Sequence, residues 1–214
     1  MNTFRLLPCL GAMLLSVLLL SSCDKDNKDP DFIRRYMPLQ VGNYWVYQQF
    51  EVIDSTGGKV KATQNYDSCY IQKDTMIGGD TYYKYIHHLN GVEVPRFLKD
   101  SSHYLVDYNA GVVFSAQDTT ALQDYYLMST PLDTIARVVL MIGSEPEIVS
   151  TPTLTLSTIN ARRTMYFVHT NPGGAVRSLH TCYAVGVGIV KETLPYNYTQ
   201  YKTIERRLLR YRLH

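Results

Sequence analysis

Apolar and polar residues alternate along most of the chain beyond residue 35, at a period of two that predicts strands rather than helices. Between Asn43 and Val52, Tyr44, Val46, Phe50 and Val52 fall on one face, and Trp45 and Tyr47 on the other. A strand apolar on both faces is expected either in the middle of a sheet or under a second layer. Ser55-Thr56-Gly57-Gly58 ends it, a long alternating segment runs from Lys59 to Asp74, and Gly78-Gly79-Asp80 turns the chain back into Thr81 to His88. Asn90-Gly91 is the clearest turn, because both residues accept the positive φ of a type I′ hairpin. A two-residue loop there places Leu89 opposite Val92, His88 opposite Glu93 and His87 opposite Val94. Val92 to Leu98, His103 to Asp107 and Val112 to Ala116 extend the meander.

The pattern weakens from Gln117 to Asp133, which reads as a helical turn or a long loop. Arg137 to Ile142 and Ile148 to Leu156 read as strands, Ala161 to Thr170 and Val176 to Tyr183 as a hairpin around Asn171-Pro172-Gly173-Gly174, and Ile189 to Thr193 as a short strand. The last segment, Tyr201 to Leu213, fits a strand that aligns Leu209, Tyr211 and Leu213, or a helix that aligns Tyr201, Ile204, Leu208 and Tyr211; the strand is preferred. The expectation is an all-β chain, with residues 32–214 forming one antiparallel meander domain built as a curved sheet, an open barrel or a sandwich. Eighteen tyrosines agree, since aromatic side chains suit a pleated, half-buried surface.

The first 31 residues break this pattern. Arg5 precedes an apolar run from Leu6 to Leu20, shorter than the roughly 20 residues that span a bilayer core. Leu20-Ser21-Ser22-Cys23 resembles the lipobox of bacterial lipoproteins. The resemblance implies that residues 1–22 are a removable signal peptide and that Cys23 is acylated, anchoring the chain to a membrane without crossing it. Residues 23–31 then form a lipidated cysteine and a charged tether, since Asp24-Lys25-Asp26-Asn27-Lys28-Asp29 contains nothing to bury. That run also resembles the export signal of surface lipoproteins in Bacteroidota, which implies the outer membrane. In enterobacteria an aspartate after the lipidated cysteine is instead read as retention at the inner membrane.

A formal charge of +2 predicts no general affinity for nucleic acid, so the partners expected are the membrane, through the lipid, and a glycan or envelope protein. Once Cys9 leaves with the signal and Cys23 carries lipid, Cys69 and Cys182 remain of the four cysteines. In an oxidising envelope they are a possible disulfide, the alternative being two buried thiols acting as small apolar groups.

Two stretches, Tyr36-Met37-Pro38-Leu39-Gln40-Val41-Gly42-Asn43-Tyr44-Trp45-Val46-Tyr47 and Tyr183-Ala184-Val185-Gly186-Val187-Gly188-Ile189-Val190-Lys191, resemble β-rich envelope lipoproteins frequent in Bacteroidota. The resemblance supports an antiparallel meander and brings no activity with it.

Candidate chemistry is sparse. Gly186-Val187-Gly188 with Lys191 lacks the third glycine and the Lys-Ser/Thr of a phosphate loop and reads as a bulge or bend. His87, His88, Glu93 and His103 could be weighed as metal ligands, yet adjacent strand residues face opposite ways, so no metal or other cofactor is expected. His180 and Cys182 share a strand face but have no orienting third group, and Glu145-Pro146-Glu147 reads as an acidic turn. Arg206, Arg210 and Arg212 on one face suggest an edge strand guarded by charge. Tyr82, Tyr83, Tyr85, Tyr104, Tyr108, Tyr125 and Tyr126 suit sheet packing or, alternatively, a sugar-stacking surface. With no acid, base and nucleophile set, the expected role is binding or scaffolding rather than catalysis. The alternatives are a carrier of an apolar ligand in a concavity lined by Trp45 and Tyr47, and a hydrolase of envelope glycan or peptide using His180 or Glu147.

Overall fold

The computed structural model describes residues 32–54, 58–89, 91–130, 133–168, 176–194 and 203–214. The signal peptide, Cys23, the tether and the Asn171–Gly174 turn lie outside them. Alternation in the sequence becomes a single antiparallel sheet. Its strands are β1 (Tyr44–Val52), β2 (Val60–Ile77), β3 (Asp80–Leu89), β4 (Val92–Ser101), β5 (Tyr104–Asp107), β6 (Gly111–Ser115), β7 (Ala121–Thr130), β8 (Asp133–Ile142), β9 (Glu147–Ser150), β10 (Thr155–Phe167), β11 (Val176–Ala184), β12 (Gly188–Thr193) and β13 (Ile204–Arg212). The spatial order is β6-β5-β4-β3-β2-β1-β13-β12-β11-β10-β8-β7, with β9 paired to the start of β10. Two meanders are thus joined where the first strand meets the last.

The β3–β4 hairpin has the register expected from Asn90-Gly91, with Leu89, His88 and His87 opposite Val92, Glu93 and Val94. β1 is central, between β2 and β13, which explains its two apolar faces. The two ends of the sheet, β6 and β7, follow each other in the chain and approach where Gln123 Nε2 donates to Ala110 O at 2.6 Å, without a backbone ladder. The sheet therefore curls toward a barrel around one concave face. Trp45, Tyr47, Ile71, Tyr85, Leu98, Leu105, Phe114, Leu140 and Leu208 are buried in its core. A single helical turn, α1 (Phe32–Tyr36), fills the end of the barrel beside the β11–β12 turn. Ile33, Met37 and Leu39 are buried, Tyr36 packs on Phe114 at 5.4 Å, and Arg35 O accepts from Gly186 N.

Three expectations need correction. Gln117 to Asp133 is neither helix nor simple loop but largely strand β7, whose register shifts three times against β8 and so hides its period. Ile148 to Leu156 is two strands, because the chain turns at Thr151–Leu154 around Pro152. The arginine-rich last segment is a strand, but it lies inside the sheet instead of guarding an edge. A register shift between Val46 and Tyr47 turns Leu208 and Arg206 to the core, in place of the Leu209-Tyr211-Leu213 alignment.

Candidate functional site

Pairing across the sheet assigns side chains to the concave face, because residues directly opposite each other share a face. Tyr85 lies opposite Arg96, Leu179 opposite Arg163, Arg163 opposite Leu140, and Thr181 opposite both Ala161 and Glu192. All of these but Tyr85, together with His87, Val113 and Tyr183, surround a cavity of about 210 Å³ inside the curl. One wall is apolar (Val113, Leu140, Leu179) and the other polar (His87, Arg96, Thr181, Glu192), with Arg163 also in the lining.

The polar wall is unusual for a core. Arg206 is 1 % exposed and donates from Nε and Nη2 to Glu192 Oε2, at 2.9 and 2.5 Å, with its guanidinium 4.7 Å from the Tyr47 ring centre. Arg96 Nε donates to Asp107 Oδ2 at 2.6 Å, and Gln49 Nε2 to Asp67 Oδ2 at 2.7 Å. Burial pushes the Glu192 carboxyl up, but Arg206 and Arg96 outweigh it and hold the group below its ordinary value. Burial, reinforced by Arg206, lowers His87 to about 4, so its imidazole is neutral at physiological pH. Two buried donors around this face, Arg163 Nε and Arg206 Nη1, have no hydrogen-bond partner among the described residues. Burying such groups unpaired costs about 1–3 kcal/mol each, more when they are charged.

Trp45 and Tyr47 do not line an open concavity. Both are fully buried; Trp45 Nε1 donates to Val187 O at 2.6 Å and Tyr47 Oη to Ile189 O at 2.9 Å. The two sequence stretches that resemble envelope lipoproteins are therefore in direct contact. Gly186 and Gly188 have φ of +70° and +103° and make a tight reversal between β11 and β12. Gly188 lies against the indole, and the turn forms no phosphate loop.

Of the two alternatives for Cys69 and Cys182, the bridge is not formed; both are buried free thiols. Cys69 lies opposite Trp45 on the concave face, whereas Cys182 lies opposite Lys191, the neighbour of the inward-facing Glu192. The sheet itself separates them. Burial pushes the Cys182 thiol up to about 11 and raises that of Cys69, so neither is an activated nucleophile.

His180 and Glu147 are brought together on the outer face. Asn160 Nδ2 lies 2.9 Å from both Glu147 Oε1 and His180 Nδ1, beside a groove of about 470 Å³ that Lys191 and Glu205 also line. Burial and Lys191 lower the imidazole of His180. His88 pairs with Glu93 across the hairpin at 3.4 Å, and His103 with Asp118 at 3.2 Å, apart from each other. Among the described residues no group of three His, Cys, Asp or Glu is placed to hold a metal. The tyrosines divide: Tyr82 and Tyr85 are buried, while Tyr108, Tyr125 and Tyr126 are exposed. Arg206 was hidden from sequence reasoning by the β13 bulge, and Arg96, Arg163 and Glu192 by their ordinary place in alternating strands. The one available signal was a charged residue at a position where the alternation points inward, as at Arg163 between Ala161 and Met165.

No family model and no curated protein matches the chain. Among solved structures, a candidate exported protein with a YmcC-like fold from Bacteroides fragilis shares 13 % identity at a TM-score of 0.46, covering 81 % of this chain and 97 % of that one. A candidate lipoprotein from Parabacteroides distasonis shares 12 % at 0.42, covering 83 % and 98 %.

Proposed function

We propose that this chain is a lipid-anchored binding protein of the cell envelope, which holds a small ligand in the cavity on the concave face of its sheet. The observation that carries the reading is the cavity itself: a wall of charged groups in the protein core, with buried donors left unpaired, costs stability unless a partner completes it. At about 210 Å³ it holds roughly seven waters' worth of volume at ~30 Å³ each, the size of a small metabolite rather than a lipid. The space an apolar carrier needs beside Trp45 and Tyr47 is filled with side chains. The lipobox at Cys23 supports the anchor.

The binding half is tested by screening a small-metabolite library for thermal stabilisation of the acylated chain, with Ala161→Leu as a variant whose added side chain fills the cavity. Ligands that stabilise the wild type and not the variant support the proposal; ligands that stabilise both, or none at millimolar concentration, refute it. The anchor is tested by labelling with radioactive palmitate: Cys23→Ala should abolish the label, and globomycin should leave it on an uncleaved chain that retains residues 1–22.

A further inference from the structure

We propose that the cavity selects a small organic monocarboxylate with an apolar body, and that Arg163 is the group that grips its carboxylate. The inference rests on the cavity being the ligand site and adds the class of ligand. Among the charged groups at the concave face, Arg96 is neutralised by Asp107 and Arg206 by Glu192. Arg163 has no ion-pair partner among the described residues, and its buried Nε has no acceptor. It lies on β10 opposite Leu140 on one side and Leu179 on the other, so its guanidinium stem emerges between apolar neighbours. His87 adds no charge, being neutral until about pH 4.

The cavity therefore carries one uncompensated positive charge, a planar fork of donors matched to a carboxylate. A second negative charge on the ligand would meet Glu192 on the polar wall, which favours a monoanion over a phosphate dianion. Val113, Leu140 and Leu179 offer apolar surface for the remainder of the molecule, and Thr181 a hydroxyl beside it. Binding then gives the buried Nε of the half-buried Arg163 an acceptor, and the low dielectric around the cavity strengthens the contact.

The test uses benzoate as probe, with benzamide as its neutral isostere and phenyl phosphate as its dianionic counterpart, by titration calorimetry on the full acylated chain in detergent. Benzoate should bind at least about 10-fold more tightly than benzamide and than phenyl phosphate, since hydrogen bonds to charged groups are roughly twice as strong as neutral ones. Arg163→Gln should reduce benzoate to the affinity of benzamide, and Arg163→Lys should keep part of the preference. The comparison of probes on the wild type needs no substitution and stands even if a variant fails to fold. Equal binding of benzoate and benzamide, tighter binding of phenyl phosphate, or benzoate binding unchanged in Arg163→Gln would overturn the inference. If benzamide binds as well as benzoate and Ala161→Leu abolishes both, the cavity remains the ligand site and only the charge preference is wrong. If benzoate does not bind, the inference fails, and the library screen decides separately whether the cavity reading fails with it.

Discussion

Gly188→Ala should destabilise the domain by about 2–4 kcal/mol, because it strikes the contact that joins the two ends of the chain. Gly188 has φ +103°, where a side chain costs roughly 1–2 kcal/mol. A Cβ built there falls 3.1 Å from Trp45 Nε1 and 3.4 Å from Cε2 and Cζ2. The obstacle is a fully buried ring held on every side, which cannot swing away. Displacing it breaks the 2.6 Å bond to Val187 O and leaves that carbonyl buried without a donor, a further cost of about 1–3 kcal/mol. Equilibrium unfolding in urea, followed by circular dichroism so that variants lacking the chain's one tryptophan are compared on the same signal, reports the effect. Trp45→Phe removes the hydrogen bond while keeping an aromatic ring, and the double variant completes a thermodynamic cycle. Contacting residues should couple by about 0.5–3 kcal/mol. A loss below about 0.5 kcal/mol for Gly188→Ala, or strict additivity with Trp45→Phe, would refute the idea that these two stretches lock each other.

Glu192→Gln should cost about 3–5 kcal/mol in the same unfolding assay, since it leaves the Arg206 guanidinium charged in the core; replacing the pair together with Leu and Met should cost much less. Neither Cys69 nor Cys182 should react with iodoacetamide at pH 8 in the folded protein, whereas both should react in urea, because burial raises both thiols. A histidine NMR titration should find His87 neutral down to about pH 4. Its folded value lies below the unfolded 6.5, so the unfolded chain takes up the proton first, and His87 should cost the fold stability progressively as pH falls from about 6.5 to about 4.

What could be read from the sequence follows from how local each cue is. The β3–β4 register was legible because Asn-Gly permits one tight turn and the turn dictates every pair after it. The first and last strands were recognisable as strands, yet their pairing with each other spans the whole domain and leaves no local trace. β7 escaped detection because register shifts at Ala121/Gln123, Leu127/Met128 and Met128/Thr130 break its alternation, and its side chains are largely exposed, so no apolar face declares itself. The cavity was illegible for a related reason. Arg96, Arg163, Glu192 and Arg206 lie on four different strands, and only the curl of the sheet turns them toward a common interior. In sequence each looks like an ordinary solvated charge. The outer-face contact of Glu147 and His180 through Asn160 depends likewise on β9 folding over β10.

The most direct test of the ligand-binding claim is a high-resolution crystal structure of the acylated protein purified from its own envelope without added ligand. The account predicts density for a small molecule inside the curled sheet, with an acidic group within hydrogen-bond distance of Arg163. A cavity that holds water alone, with Arg163 turned to an acidic side chain of the protein, would contradict it.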